Sequence, residues 1–152
     1  MFALATLIFA SLVGLVKSSV SDCSGGASLF KLTSISFSPD PTVPGENSTL
    51  LLSMNVPSEV TNGTAKYAFT YNFLPFSPTI DPLCDVTVAC PIQVGILNTR
   101  SSYPISADLS GTLQIKVSWS DLNDNLLMCV AISTKVGMGK HLTVFKRNRF
   151  MF

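Results

Sequence analysis

Charge is what this 152-residue chain has least of. Asp, Glu, Lys and Arg make up 12% of it, about half the share of an ordinary soluble protein. Ten basic residues stand against nine acidic ones, a net charge of +1, so the chain lacks the strongly basic face that nucleic acid requires. Disorder is excluded as well, because disordered chains are poor in apolar residues and 47% of these residues are hydrophobic. The single histidine, His141, lies near the C-terminus, and no Cys-x-x-Cys pair occurs, so no metal site is expected. There is no Gly-x-Ser-x-Gly elbow and no glycine-rich phosphate loop. Asp121 and Asp124, in a hairpin-turn stretch where Asp is favoured for turn geometry alone, form no evident acid-base pair. Neither an enzyme nor a cofactor is expected.

The longest uncharged apolar stretch, Phe2 to Val16, falls short of the roughly 20 residues a membrane span needs. Its length suits the apolar region of a signal peptide, and Ser19 and Ser21 match the small residues that precede a cleavage site. Residues 1–21 are therefore read as a leader, with an uncleaved anchor as the other reading. Four cysteines at 23, 84, 90 and 129 fit two disulfides in an oxidising compartment. Two N-glycosylation sequons, at Asn47 and Asn62, lie in polar, turn-like stretches. Together these features predict a secreted glycoprotein.

Beyond the leader the apolar residues recur with period two, and no helical period is visible. Tyr67, Phe69, Tyr71 and Phe73 alternate with Ala68, Thr70 and Asn72, while Leu113, Ile115, Val117 and Trp119 alternate with polar residues. Such alternation marks half-buried antiparallel strands. The strand candidates are Leu32–Phe37, Thr49–Val56, Lys66–Phe73, Asp85–Cys90, Thr112–Ser120 and Leu126–Val136. Turn signals separate them, among them Pro39-Asp40-Pro41, Pro44-Gly45, Asn62-Gly63, Ser110-Gly111 and Asn123-Asp124-Asn125. Short strands at this spacing predict an all-β sandwich of two antiparallel sheets over residues 22–136. Residues 137–152 form a basic tail: Lys140, Lys146, Arg147 and Arg149 face no acid there, whereas 22–136 holds five basic and nine acidic residues. The tail is read as a flexible extension.

In order and spacing these residues resemble the ML lipid-recognition proteins, a family that includes the Niemann-Pick type C cholesterol carrier and secreted phosphatidylglycerol/phosphatidylinositol transfer proteins. The resemblance runs from Asp22-Cys23 through Ser38-Pro39-Asp40-Pro41, Pro44-Gly45, Leu83-Cys84, Cys90-Pro91-Ile92, Tyr103-Pro104 and Trp119 to Leu127-Met128-Cys129. The Pro-Asp-Pro stretch, with no cysteine between 23 and 84, is nearer the phospholipid-transfer branch. The resemblance implies an immunoglobulin-like sandwich whose sheets splay around an apolar cavity, with Cys23 bonded to Cys129 and Cys84 to Cys90. Four cysteines by themselves allow three pairings. It also implies a carrier that takes a sterol or phospholipid from one membrane and delivers it to another, in the lysosomal lumen or outside the cell. The expected lining is Phe69, Tyr71, Phe73, Val117 and Trp119, with rims at Pro91, Ile92, Val94 and at Tyr103-Pro104. A sterol and a phospholipid demand the same apolar lining, so the ligand stays open. The implied partners are the lipid, a transient membrane surface and a receptor or membrane-protein acceptor, met by a monomer.

The rival reading is an immunoglobulin-like interaction module, or a lipid-presenting co-receptor that combines both roles. A solid core distinguishes the module from the carrier. Trp119 lies only ten residues before Cys129, unlike the inter-sheet Cys…Trp…Cys arrangement of such modules.

Overall fold

A computed structural model describes residues 17–86 and 88–137, so the apolar leader stretch and the basic tail lie outside the described residues. Nine strands and one helical turn follow in order: β1 Ser19–Asp22, β2 Lys31–Ser38, β3 Asn47–Val56, β4 Gly63–Tyr71, β5 Leu74–Pro75, β6 Thr79–Pro82, α1 Leu83–Val86, β7 Gly95–Pro104, β8 Gly111–Asp121 and β9 Leu126–Val136. They form two antiparallel sheets. One runs β1-β9-β8-β4-β5, with β6 also pairing β4, and the other runs β2-β3-β7.

The alternation read from the sequence gives the core its inner faces. Ser48, Leu50, Leu52, Met54 and Val56 of β3 are buried and point one way, while Thr49, Leu51, Ser53 and Asn55 point the other. Opposite them, Leu113, Ile115, Val117 and Trp119 of β8 pair with Thr134, Ile132, Val130 and Met128 of β9, all buried. The remaining neighbour is β4, where Ala65, Tyr67, Phe69 and Tyr71 pair with Trp119, Val117, Ile115 and Leu113. Gly63 admits the close crossing at the start of β4, since a Cβ there would collide with the Ser120 carbonyl oxygen.

Both disulfides implied by the resemblance are formed, Cys23–Cys129 and Cys84–Cys90. The first ties the end of β1 to β9, where Leu29 and Phe30 also donate backbone hydrogen bonds to Leu126 and Leu127 at 3.0 and 2.8 Å. The second overturns one expected strand. An extended run from 85 to 90 would carry its ends about 17 Å apart at ~3.3 Å per residue. The Cα atoms of Cys84 and Cys90 are 5.3 Å apart, and Leu83–Val86 coils into one helical turn with Leu83 fully buried.

The aromatic row of β4 is also shorter than expected. Asn72 and Phe73 have φ of +46° and +69° and form the two-residue turn between β4 and β5. This is the left-handed hairpin turn that Asn and Gly favour. Phe73 takes it at about 1–2 kcal/mol of backbone strain, and its ring is turned out to solvent, 85% exposed.

Three carboxylates, the exposed Asp22 and Asp40 and the half-buried Asp121, hold backbone N–H groups. Asp121 accepts hydrogen bonds from the Asn125 side chain and from the backbone N–H groups of Asn123 and Asn125, at 2.8–2.9 Å. Asp22 accepts from Ser24 N–H and Asp40 from Ser18 N–H, each at 2.7 Å. These bonds hold all three carboxyls below the usual carboxylate range. A carboxyl depressed by folding stabilises above its unfolded pKa and loses that contribution as pH falls through its folded one. Thermal melts are therefore expected to be flat from neutral pH to about 5 and to shift down below about pH 4. A midpoint that already falls between pH 7 and 5 would contradict this.

Candidate functional site

The two long edges of the sandwich differ. Along one, β1 and β9 are stitched to the β2 side. Besides the Leu29 and Phe30 bonds, Ser18 Oγ donates to Thr134 Oγ1 at 2.8 Å, Thr134 Oγ1 lies 2.8 Å from Thr42 Oγ1, and Thr42 bridges Val136. Thr42 and Thr134 are buried, so this polar knot is satisfied in the interior. Along the other edge, β7 faces β4 and β6, and among the described residues no strand pairing joins them. Only its end is pinned, by Cys84–Cys90 and by Val60 and Ile92, which exchange backbone hydrogen bonds of 3.0 and 2.8 Å.

A cleft of about 390 Å³ opens on that free edge. Tyr67 and Phe69 from β4, Thr79 and Asp81 from β6, and Arg100, Ser101, Ser102 and Tyr103 from β7 line it. Aromatic rings thus face a polar strand carrying one cation. Burial pushes the Tyr103 phenol above its ordinary pKa, against a Ser101 hydrogen bond that acts the other way, and the nearby Tyr67 adds to the rise. Tyr103 is therefore neutral at physiological pH and able to donate a hydrogen bond. Behind the cleft the interior is filled by Leu50, Met54, Ile115 and Trp119, all essentially buried. Ser48 Oγ and Trp119 Nε1, on facing inner surfaces, are buried without a hydrogen-bond partner.

A second cleft of about 410 Å³ lies on the outer face of the larger sheet. Ser19, Ser21, Ala68, Thr70, Gln114, Lys116, Ala131 and Ser133 line it, together with Ile115 and Ile132, which are themselves buried in the core. It has no facing sheet and no aromatic wall, so the inter-sheet cleft is the candidate site.

Of the ten expected contact residues, the structure brings Phe69 and Tyr103 into this cleft. Val117, Trp119 and Ile92 are buried in the packed core rather than on an open surface. Tyr71 belongs to the inner row, but its hydroxyl is engaged with Ser110, donating to the carbonyl at 2.6 Å and accepting from the N–H at 3.2 Å. Phe73 and Val94 are exposed outside the cleft, as are Pro91 and Pro104. Sequence reasoning missed Tyr67, already in the aromatic row, and Arg100, Ser101 and Ser102, which lie in a strand it had not marked. Among the described residues no group of three His, Cys, Asp or Glu side chains is placed to hold a metal ion, and no helix is long and apolar enough to cross a membrane.

The ML domain profile matches residues 17–136, four-fifths of the chain and all of the sandwich. The chain belongs to the ML domain family. Two relatives from Dictyostelium discoideum agree. The putative phosphatidylglycerol/phosphatidylinositol transfer protein 3 is 34% identical over 119 residues, covering 76% of this chain and 79% of its own. The putative phosphatidylglycerol/phosphatidylinositol transfer protein 1 is 27% identical over 119 residues, covering 76% and 78%. Two solved structures share the fold. A Niemann-Pick type C2 protein from Japanese carpenter ant has a TM-score of 0.61 at 20% identity and covers 78% of this chain and 98% of its own. Chicken MD-1 complexed with lipid IVa has a TM-score of 0.51 at 14% identity, covering 70% and 87%. The ML domain here is thus an all-β sandwich, of a family with lipid-binding and transfer members, and its two disulfides fit an oxidising compartment.

Proposed function

We propose that this ML domain is a secreted lipid carrier that holds an amphiphilic lipid between its two sheets and moves it between membranes without making or breaking a bond. The observation that carries the reading is the cleft on the free edge, with Tyr67 and Phe69 on one wall and the polar residues of β7 on the other. An apolar wall suits acyl chains, and the Arg100 guanidinium, with Ser101, Ser102 and Tyr103 beside it, suits the phosphate of a phospholipid better than the lone hydroxyl of a sterol. About 390 Å³ is at the small end of ligand pockets. A whole acyl chain requires β7 to move away from β4 and β6, and the free edge is where such parting breaks no strand pairing.

The energetics suit release as well as capture. Burying on the order of 400 Å² of lipid surface is worth about 10 kcal/mol at ~25 cal/mol per Å². Association costs roughly 4 kcal/mol or more, which leaves about 6 kcal/mol or less and so binding in the range of tens of micromolar or weaker for that area.

We further propose that the leader ends before Ser18 rather than before Asp22. β1 pairs Ser19–Asp22 with Ser133–Val130, Ser18 bonds Asp40 and Thr134, and the family profile begins at residue 17. Cleavage before Asp22 would remove that edge strand and uncover β9. Asn47 and Asn62 are exposed, as glycan carriers must be.

Native mass spectrometry of the secreted, disulfide-intact protein tests these points together. The expected result is a near one-to-one complex with a phospholipid, on a chain whose first residue is Ser18 or earlier and whose mass falls after glycosidase treatment. An empty protein that also takes up no lipid from vesicles would leave the interaction module as the better reading. A chain starting at Asp22 would overturn the revised boundary alone.

A further inference from the structure

The turn at the end of β4 is unfavourable twice over. Phe73 sits in left-handed backbone that a bulky residue rarely adopts, and it exposes its ring to water. The strain is not relieved by mobility, because the neighbouring Asn72 is anchored. Its N–H donates to Thr112 O at 3.0 Å, and its side-chain oxygen accepts from Thr112 N–H at 2.9 Å. Leu74 and Phe76 beside it are also mostly exposed, at 68% and 58%. From Tyr67 to Ile80 the chain carries no charged residue. Among the described residues nothing offsets a fixed, strained aromatic at a hairpin tip, which points to a contact outside the sandwich.

We propose that the Phe73–Phe76 tip inserts into the headgroup region of a phospholipid bilayer and seats the mouth of the cleft against it. The proposal rests on the carrier reading above and names the surface that the carrier meets. The tip is joined to the cleft wall: Phe76 N–H donates to the carbonyl of Phe69 at 2.9 Å, and Phe69 lines the cleft. A bilayer fits better than a protein groove for two reasons. The apolar side chains project from a convex hairpin, the shape that a deformable interface accepts and where aromatic side chains settle. The tip also carries no charge that insertion would have to strip of water, since the run from Tyr67 to Ile80 has none. Arg100 is at the mouth and Lys66 and Lys116 are exposed farther back on β4 and β8, while the exposed Asp108 stands two residues from Ser110, which bonds Tyr71 and Asn72.

The test is co-sedimentation of the intact protein with phosphatidylcholine/phosphatidylglycerol vesicles, comparing the natural chain with Phe73→Gly. Glycine is at ease in this backbone, so the variant is expected to melt at the same temperature or higher. Its vesicle binding is expected to fall on the order of tenfold, the loss of one inserted aromatic. Phe73→Asn, which also tolerates the left-handed region, is expected to behave alike. Uptake of a short-chain fluorescent phospholipid, supplied as monomers, is expected to be unchanged in both variants because Phe73 lies outside the cleft. Equal vesicle binding by variant and natural chain would overturn the proposal, as would a natural chain that does not bind vesicles at all. Failure of monomer uptake in every form would instead count against the carrier reading, and vesicle binding would still decide the role of the tip.

Discussion

Ser101→Trp is expected to abolish lipid uptake while leaving the domain folded. Ser101 is a half-buried residue of β7, paired with Leu50 of β3, and it lines the inter-sheet cleft. Because β7 is the edge strand of its sheet and space lies beside it, an indole there fills the cleft instead of displacing packed neighbours. Enlarging a residue in a packed core costs about 1–3 kcal/mol. Here the added apolar contact offsets that, so the melting temperature is expected to hold or rise. Uptake of a fluorescent phospholipid is expected to fall at least tenfold, which corresponds to about 1.4 kcal/mol of lost binding. The matching control is Gln114→Trp, which fills the outer-face cleft and is expected to bind lipid normally. If the control loses uptake and Ser101→Trp keeps it, the ligand site is on the outer face.

Removing the long disulfide is expected to have the largest effect on stability. Cys23–Cys129 spans 106 residues, and a loop of that size is worth about 4–5 kcal/mol in the chain-entropy model. A domain of this kind is stable by roughly 5–15 kcal/mol in total. Cys23→Ser/Cys129→Ser should therefore lose about a third or more of its stability, with a matching fall in denaturation midpoint, and be secreted poorly. The short bridge, Cys84–Cys90, spans six residues and is worth only about 2 kcal/mol on the same model. Its loss should spare the fold but loosen the pinned end of the free edge, where Val60 pairs with Ile92. Denaturant titration of the two double variants gives the comparison. Equal losses would mean that the Leu29 and Phe30 backbone bonds hold β9 without help from the long bridge.

Much of the sandwich was legible because β3 and β8 bury one face only and alternate cleanly, while β9, buried on both faces from Leu127 to Val130, shows as a long apolar run. The observed limits of all three depart from the expected ones by at most two residues. β7 was not legible because its inward residues include Thr99 and Ser101, so the apolar period is lost where the strand lines a polar cleft wall. β1, β5 and β6 are two to four residues long, too short to show a period at all. The run from Asp85 to Cys90 shows the opposite error, since Val86 and Val88 read as a strand until the six-residue disulfide bends the segment back. Phe73 kept the parity of the aromatic row in the sequence and lost it in the fold, because the two-residue turn ends the strand at Tyr71.

The sequence by itself determined the class of the molecule: period-two alternation, four cysteines and the order of its Pro, Gly and Cys motifs lead to a disulfide-stapled, lipid-recognition sandwich. Alternation assigns each side chain to one of two faces, and paired cysteines need only be even in number, so both survive in a string of letters. Only the tertiary structure decided where a cleft opens between the sheets. The cleft exists because β7 and the β4–β6 pair come from opposite sheets and are left unpaired along one edge, while the Ser18–Thr42–Thr134 knot closes the other. That asymmetry is a property of two surfaces meeting in space, and no local pattern in either strand encodes it.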